Sequence, residues 1–538
     1  MSLSPSTIRV GKRYRSNRLA ESYDAIVVGS GIGGLTTAAC LAKLGKKVCV
    51  LEQHYTAGGM THTYERNGFE WDVGVHYIGD MGNENTIGRR CFDYITNGAL
   101  KWAAMDNCFD RIFLGDKSYD LISGKDEYIA QLKQLFPEEH AAIDQYVTLV
   151  MKARAAMKTF TIGKLMPNWL AAIGRPLFSI PKVLNRTTRE VLESITTNQT
   201  LIAVLTGQWG DCGLPPAESS FMIHATIAHH YMYGGYYPIG GSSEIAKSII
   251  PTIQSTGGEV FTYASVEEII VKDRSVQGVR MADGHIIKCD TVVSATGVIN
   301  TIDHLITPSE VPHGLTESRQ NIERSMASIC LYIGLDKTAE ELKLPKTNLW
   351  LYPSEDYEQH VDEFRNNPEG KLPLIYISFP SAKDPDFERR YPGKATIEIV
   401  APGMYETFAK WHDKPWGKRG DDYDALKASL SEQLLEALYA QMPHLRGEIS
   451  YHELSTNLST DYFCRYEKGE IYGLNHDPNR FSQTWLKPTT PIKGLYLSGQ
   501  DILSCGVVGA MVAGALCAVK VGGFKGMKLL KAIFSKTR

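Results

Sequence analysis

A glycine-rich turn between a buried strand and a helix limits what this chain can fold into more than any other feature. The run 23–28, whose end is continuously apolar, predicts a strand buried on both faces, and Gly29, Gly31 and Gly34 follow it at the spacing G-x-G-x-x-G. Gly29 permits a tight turn, Gly31 leaves room for a pyrophosphate, and Gly34 lets the next helix lie close to the strand. The free N–H groups at the start of that helix then face the phosphates, so the pattern predicts a Rossmann-type dinucleotide-binding fold.

An acidic residue and a second glycine pair indicate which dinucleotide is bound. Glu52 ends the second predicted strand, where a carboxylate can accept hydrogen bonds from ribose hydroxyls. The chain then continues with Gly58, Gly59, Met60 and Thr61, where a simple nicotinamide domain would continue into its next helix. Backbone amides at these glycines can contact a second phosphate or a ribityl chain, although a plain turn is the alternative. We therefore expect FAD as the cofactor.

Two distant segments are expected to complete the same sheet. Residues 266–297 predict a three-stranded meander with an Asp-Gly turn, followed by a buried strand that ends near Gly297. Near the C-terminus another strand stops at Gly499, and the uncharged stretch 502–519 follows it. Its three glycines make that stretch poor as a membrane span, so we predict a buried helix whose start, including Val508, faces the cofactor.

Composition excludes several classes of protein. The 538 residues are 43% hydrophobic, which suits a large globular core of about two large domains. Because 57 basic and 60 acidic residues give a net charge of −3, we expect no nucleic-acid partner. The ten cysteines are scattered without metal-ligand spacing, so no metal site and no disulfides are expected. The polar N-terminus lacks a secretory apolar segment, which predicts a cytoplasmic location.

Two segments, 68–79 and 230–244, carry a resemblance to a known family. Together with the motifs above they resemble the phytoene-desaturase-like FAD oxidoreductases of the amine-oxidase superfamily, on the retinol saturase and carotenoid isomerase branch. The pattern D-x-G-x-H-Y, which ends in His76 and Tyr77, favours the saturase side of that branch. The resemblance implies that Glu52 contacts the adenosine ribose, that Val266 contacts the adenine through its backbone, and that Asp501 contacts the ribityl and pyrophosphate groups.

The resemblance also implies an α/β architecture: a discontinuous Rossmann-type FAD-binding domain and an α+β substrate domain with a helical lid. We assign the FAD-binding domain to residues 20–100, 235–300 and 450–538, and the substrate domain to residues 101–234 and 301–449. Within the substrate domain, the acidic and proline-containing stretch 353–388 is predicted to be a surface insertion.

The expected reaction alters carbon-carbon double bonds of an apolar polyene, either a retinoid or a carotenoid. Saturation requires a hydride on one carbon and a proton on its neighbour, and the flavin supplies the difficult step. His76, Tyr77 and Tyr231 are our candidate proton donors, with His230 and Tyr233 as weaker ones; the alternative for each is a buried structural role. Since the chain holds one dinucleotide fingerprint, an external electron donor or acceptor is expected. Redox-neutral isomerisation, carotenoid desaturation and a flavin-bearing lipid carrier without turnover remain alternatives.

A basic segment predicts contact with a membrane surface. Residues 151–189 contain eight basic and no acidic residues, interleaved with apolar ones such as Phe160 and Trp169. The C-terminal run 522–538 has the same character. This pattern suits helices that lie among lipid headgroups, which favours peripheral membrane association. The alternative is a solvated lid whose apolar face belongs to the core.

Overall fold

The computed structural model of the protein describes residues 8–166 and 180–534. Six parallel strands from three distant parts of the chain form one sheet. Their order in the sheet is Lys12–Arg13, Glu259–Thr262, Val48–Leu51, Ala25–Val28, Val292–Ser294 and Leu495–Leu497. All four residues of each of the strands 25–28 and 48–51 are buried, as the continuous apolar runs predict. The predicted α/β fold with a discontinuous Rossmann-type domain is confirmed.

Close helix packing covers this sheet. The helix Ile32–Lys43 follows the glycine turn, and the predicted uncharged helix is present as Gly506–Val521. A Cβ atom added to Gly514 would lie only 2.3 Å from the carbonyl oxygen of Gly33, so the two helices approach to backbone contact. The glycines that weaken this helix as a membrane span therefore allow it to pack. The helices Ile87–Thr96 and Ser243–Gln254 complete the layer.

The predicted meander is also confirmed. Its antiparallel strands are Val266–Lys272, Ser275–Met281 and Ile286–Lys288. Gly284, in the turn before the third strand, has a φ of +81°, a left-handed value that favours glycine. The inward side chains of the meander share a core with Ile26 and Val292 of the parallel sheet.

A second sheet of seven strands forms the other half. Its strand order is Ile449–Ser455, Ala327–Leu335, Ala395–Gly403, Ile375–Ser378, Asn348–Tyr352, Cys108–Leu114 and Lys117–Ile122. Neighbours are antiparallel except for one parallel pair, Asn348–Tyr352 with Cys108–Leu114. Three smaller pairings add the strands Thr63–Arg66, Phe69–Asp72, Ile78–Gly79, Trp102–Ala104 and Gly235–Pro238. This mixed sheet is the predicted α+β component.

Two expectations about this half need correction. The stretch 353–388 is not a surface insertion, because Ile375–Ser378 is an internal strand of the mixed sheet and Ile377 is fully buried. Proline and acidic residues flank that strand, and its apolar stretch is too short to predict a buried strand from the sequence. In addition, the boundary placed at 450 falls inside the strand Ile449–Ser455, so the third FAD-binding segment begins with a strand of the mixed sheet.

Helices close the space beside the mixed sheet. They are Lys125–Leu135, His140–Gly163, Thr188–Glu193, Gln199–Thr206, Phe221–Tyr231, Tyr357–Asn366 and Asp421–Gln441, with shorter ones at Val298–Asp303, His313–Arg319, Asn457–Cys464 and Pro478–Ser482. The short helix Gly523–Leu529 instead packs on Gly506–Val521, in the half that contains the parallel sheet. Across residues 8–166 and 180–534, no helix combines the length and apolar character that a bilayer crossing requires. Trp169 and the rest of 167–179, which belong to the basic segment, lie outside the described residues, as do residues 535–538.

Candidate functional site

A cavity of about 1210 Å³ lies between the two halves. Ligand pockets for single small molecules are commonly roughly 300–1000 Å³, so this one exceeds the usual size. One wall consists of residues that follow strands of the parallel sheet within one or two positions: Gly29, Glu52, Ala295 and Gly499. Ligands of open α/β sheets bind at this carboxyl edge of the strands. The opposite wall comes from the mixed sheet and the helices beside it.

The glycine turn has the geometry that a dinucleotide requires. Gly29 has a φ of +96°, and a Cβ atom on Gly34 would lie 2.2 Å from the carbonyl oxygen of Gly29. A Cβ atom on Gly31, in contrast, would meet no atom within 4 Å, and Gly31 lines the cavity. Gly34 is therefore required for packing, whereas Gly31 leaves open space at the start of the helix. That space is a cradle for a phosphate group.

Glu52 is held in position by backbone and hydroxyl donors. Its Oε2 accepts hydrogen bonds from the backbone N–H and the hydroxyl of Ser30, both at 2.8 Å, and its Oε1 accepts one from the N–H of His54 at 2.8 Å. Glu52 is largely buried yet lines the cavity. Because an ionised carboxylate offers about four acceptor sites, one remains for a ribose hydroxyl. Glu52 thus both braces the turn and suits the predicted ribose contact.

The second glycine pair packs directly on the first. Gly58 and Gly59 have φ values of +129° and +56°, and a Cβ atom on Gly59 would lie 2.8 Å from the Cα atom of Gly31. Gly59, Met60 and Thr61 line the cavity. Gly58 instead donates its N–H to the hydroxyl of Ser30 at 3.1 Å, behind the cavity wall. Of the predicted pair, Gly58 therefore shapes the turn, whereas Gly59 faces the space for the ligand.

The remaining cofactor residues fall into two groups. Val266, Gly499 and Val508 line the cavity, whereas Gly297 and Asp501 lie behind its wall. The carboxylate of Asp501 accepts hydrogen bonds from the N–H groups of Val298 at 2.8 Å and Leu474 at 3.2 Å. Gly297 precedes the helix Val298–Asp303, so Asp501 satisfies a free N–H at its start. The structure thus directs the Asp501 side chain to this helix rather than to the cavity.

The candidate donors occupy the opposite wall. Tyr77 and Tyr231 stack with ring centroids 4.1 Å apart and planes 13° apart, and both line the cavity. Around them lie apolar and aromatic side chains, including Ile223, Trp350, Leu374 and Tyr376. Stacked rings present a flat apolar surface, which suits a planar conjugated ligand.

The two histidines are poorly suited to donate a proton at neutral pH, because burial favours their neutral form. His230 accepts a hydrogen bond at Nε2 from the N–H of Gly79 at 2.9 Å, and burial lowers its pKa to about 4. Nδ1 of His76 lies 2.8 Å from Oε2 of Glu398; burial lowers the pKa of His76 to about 4 and raises that of Glu398 to about 8. Burial thus favours the uncharged form of both partners in this contact. Tyr233 is partly exposed and does not line the cavity.

A buried polar network behind Tyr77 was not found from the sequence. Asp110 accepts hydrogen bonds from the hydroxyl of Tyr77 at 2.8 Å, from Gln208 at 2.7 Å and from Asn348 at 2.8 Å. The ammonium group of the fully buried Lys383 donates to Asn348, to the hydroxyl of Ser378 at 2.7 Å and to the carbonyl of His76 at 3.0 Å. Burial lowers the pKa of Lys383 to about 7. These residues come from separate elements, and no local motif marks them.

Comparisons with known proteins agree with this geometry. The sequence profile of the family described as "Flavin containing amine oxidoreductase" matches residues 32–401. All-trans-retinol 13,14-reductase of Danio rerio is 37% identical over 528 residues, covering 94% of this chain and 86% of that protein. Prolycopene isomerase of Arabidopsis thaliana, a chloroplast protein, is 25% identical over 566 residues, covering 98% and 87%.

A solved structure shows the same fold at much lower identity. Cyclohexylamine oxidase from Brevibacterium oxydans superposes with a TM-score of 0.60 at 14% identity, covering 94% of this chain and 99% of that one. The open cradle at Gly31 and the braced Glu52 fit the flavin cofactor that the family name implies. The chain therefore belongs to the flavin containing amine oxidoreductase family, with all-trans-retinol 13,14-reductases among its relatives, and is a flavin-dependent oxidoreductase.

Proposed function

We propose that the protein is an FAD-dependent reductase of a carbon-carbon double bond in an apolar polyene of the retinoid class. The observation that carries this proposal is the shared cavity: a dinucleotide cradle at Gly31 and a stacked pair, Tyr77 and Tyr231, line one continuous space. The 37% identity to an all-trans-retinol 13,14-reductase supports the substrate class.

The chain's own residues would bind, orient and shield the reactants. Gly31 and Gly59 leave room for the phosphates, while Glu52 accepts a hydrogen bond from the adenosine ribose. The Tyr77 and Tyr231 rings hold the polyene, and the apolar wall around them excludes water. A bound flavin supplies the hydride for one alkene carbon, so the protein must provide a proton for the other. Electrons would come from an external carrier.

Anaerobic turnover tests this proposal against its alternatives. Photoreduced holo-protein is mixed with all-trans-retinol or with a cis-carotene, and the products are separated and weighed by mass spectrometry. A retinol product heavier by two hydrogens is expected. A product of unchanged mass with an altered chromatographic retention time would indicate an isomerase. A product lighter by two hydrogens, formed by the oxidised protein, would indicate a desaturase. The absence of any product would indicate a carrier. Gly31→Ala protein without flavin is the control and should give no product.

We also propose that the protein binds the surface of a membrane through its C-terminal region. On the helix Gly523–Leu529, Phe524 is 95% exposed and Met527 is 56% exposed, with Lys525 and Lys528 beside them. Exposed apolar side chains flanked by basic ones suit an anionic lipid surface. Phe534, near the end of the same region, lines the cavity, so a membrane bound here would lie close to the substrate space.

One basic residue assigned to the membrane surface does not belong there. Lys164 is buried and donates to the carbonyl of Leu486 at 2.6 Å, with its pKa lowered to about 7 by burial. Lys152, Arg154 and Lys158 on the preceding turns are exposed. The proposed surface therefore includes these three residues and the C-terminal helix but not Lys164.

Vesicle sedimentation tests the membrane proposal. Phe524→Glu should reduce binding to phosphatidylserine-containing vesicles at least about tenfold. The substitution removes a large apolar contact and introduces a negative charge that the anionic lipid repels. Ile286→Glu is the matched control: Ile286 is 46% exposed but lies on the meander, so this variant should bind as the wild type does. Equal binding by the Phe524→Glu protein would exclude this surface.

A further inference from the structure

Asp211 lies where the two walls of the cavity meet. It ends the short turn Trp209–Asp211 and lines the cavity. Its carbonyl oxygen accepts a hydrogen bond from the thiol of Cys505 at 3.6 Å, and Cys505 directly precedes the helix Gly506–Val521. On its other side, Oδ2 of Asp211 lies 3.5 Å from the hydroxyl oxygen of Tyr77. The residue thus links the start of the helix Gly506–Val521, on the cofactor side, to the aromatic wall.

The hydroxyl of Tyr77 lies between the carboxyl group of Asp110, which is fully buried, and that of Asp211, which is partly buried, and the two differ in their hydrogen bonds. Asp110 accepts three hydrogen bonds shorter than 3 Å, including the one from Tyr77. The contact between Tyr77 and Asp211 is longer than an ordinary O–H···O hydrogen bond. Hydrogen bonds of this kind favour the charged form of the group that accepts them. Of the two carboxyl groups, Asp110 is therefore suited to carry the negative charge and Asp211 the proton.

The electrostatic surroundings differ in the same sense. Burial raises the pKa of both carboxyl groups, but the hydrogen bonds from Asn348, Tyr77 and Gln208 lower that of Asp110. The negative charge of Asp110 raises the pKa of Asp211 further, well above its usual range. Two interacting carboxyl groups commonly share a single proton near neutral pH. A neutral carboxylic acid at the wall of an apolar cavity can release its proton to a neighbouring atom.

We propose that Asp211 is the acid that protonates the substrate alkene, an inference that rests on the proposed reductase function. One alkene carbon receives a hydride from the dihydroflavin, which is the reductant and is oxidised by two electrons. The electron pair of the double bond forms a new C–H bond with the proton of Asp211 at the neighbouring carbon. Asp211 is left as a carboxylate and regains a proton from solvent before the next turnover. Tyr77 and Asp110 are positioning residues that keep this proton on Asp211.

Asp211→Asn tests the proposal because it keeps the shape and removes the acid. In anaerobic stopped-flow experiments, reoxidation of the flavin by all-trans-retinol should slow at least about 100-fold. The flavin content and the dissociation constant for retinol, measured by fluorescence quenching, should stay within threefold of wild type. Asp116→Asn is the matched control, since Asp116 lies exposed at a hairpin turn and should leave the rate unchanged.

Infrared difference spectra give a readout that does not depend on turnover. At pH 7 the wild type minus Asp211→Asn spectrum should contain the C=O band of a protonated carboxylic acid, and the Asp116→Asn difference should lack it. Failure of the proposed function would appear as a wild type that gives no reduced retinol. Failure of the Asp211 assignment would appear as an active wild type with an Asp211→Asn rate within threefold, or as the absence of the band.

A second variant covers the case in which Asp211→Asn does not fold. Asp211→Glu keeps the acid and should retain both the carboxylic C=O band, at a shifted frequency, and flavin reoxidation faster than that of Asp211→Ser. Equal rates for the Glu and Ser variants, with the flavin bound in both, would overturn the proposal.

Discussion

A single added methyl group at Gly31 should weaken cofactor binding without affecting folding, so the two effects can be measured separately. Gly31 has a φ of −59° and a ψ of +166°, which alanine adopts without strain, and an added Cβ atom meets no protein atom within 4 Å. We therefore expect Gly31→Ala to leave the flavin-free protein as stable as wild type or more stable by about 0.4–1 kcal/mol. The same methyl group occupies space that the pyrophosphate needs, so the affinity for FAD should fall at least tenfold, or about 1.4 kcal/mol.

Gly34→Ala is the matched contrast on the same helix. Its Cβ atom would lie 2.2 Å from the carbonyl oxygen of Gly29 and 3.1 Å from the Cβ atom of Ala295, so backbone must move. Overpacking of this kind costs about 1–3 kcal/mol or more. This variant should lose thermal stability first and flavin binding as a consequence.

Thermal unfolding without flavin and a fluorescence titration with FAD measure the two effects for both variants. The expected pattern is normal unfolding with weak binding for Gly31→Ala, and early unfolding for Gly34→Ala. A Gly31→Ala protein that binds FAD as tightly as wild type would refute the assignment of this space to the pyrophosphate. A Gly31→Ala protein that unfolds as early as Gly34→Ala would show that the space is needed for folding instead.

Three further predictions concern Glu52, Glu398 and Tyr231. Glu52→Ala should destabilise the protein by about 1–3 kcal/mol and release flavin on dialysis, because donors of Ser30 and His54 lose their acceptor; unchanged flavin absorbance would contradict the ribose contact. Burial raises the pKa of Glu398 from 4.5 to about 8 on folding. Between pH 4.5 and about pH 8 the folded state therefore binds more protons than the unfolded state, so the free energy of unfolding falls as the pH rises through this range. Urea denaturation of Glu398→Gln should show a smaller fall between pH 5 and pH 8 than wild type, and parallel curves would refute the raised pKa. Tyr231→Ala should weaken retinol binding by about twofold to tenfold with flavin content unchanged, whereas Tyr231→Phe should bind normally, as fluorescence quenching can show.

The cofactor half was accessible from the sequence because its signals are local. The turn at Gly29, the acidic end of the second strand at Glu52 and the glycines of the helix Gly506–Val521 each form a recognisable pattern within a short stretch of sequence, although their packing partners lie farther away along the chain. Asp501 shows the limit of that reasoning. A buried aspartate after a C-terminal strand fits a cofactor contact by resemblance, yet its partner here is the start of another helix, at Val298.

The polar network of the substrate half could not be predicted, because it exists only through long-range packing. Asp110, Asp211 and Lys383 lie on a strand, a turn and a short helix that are far apart in the sequence, and the stretch around Lys383 reads as surface. Asp110 and Lys383 would be costly to bury alone, and folding tolerates both because their hydrogen bonds are satisfied within one network, whereas Asp211 has only the long contact with Tyr77. Tyr77 connects this network to the cavity, so the D-x-G-x-H-Y pattern is explained by structure as well as by chemistry: its tyrosine holds Asp110 in the charged state that leaves the proton with Asp211.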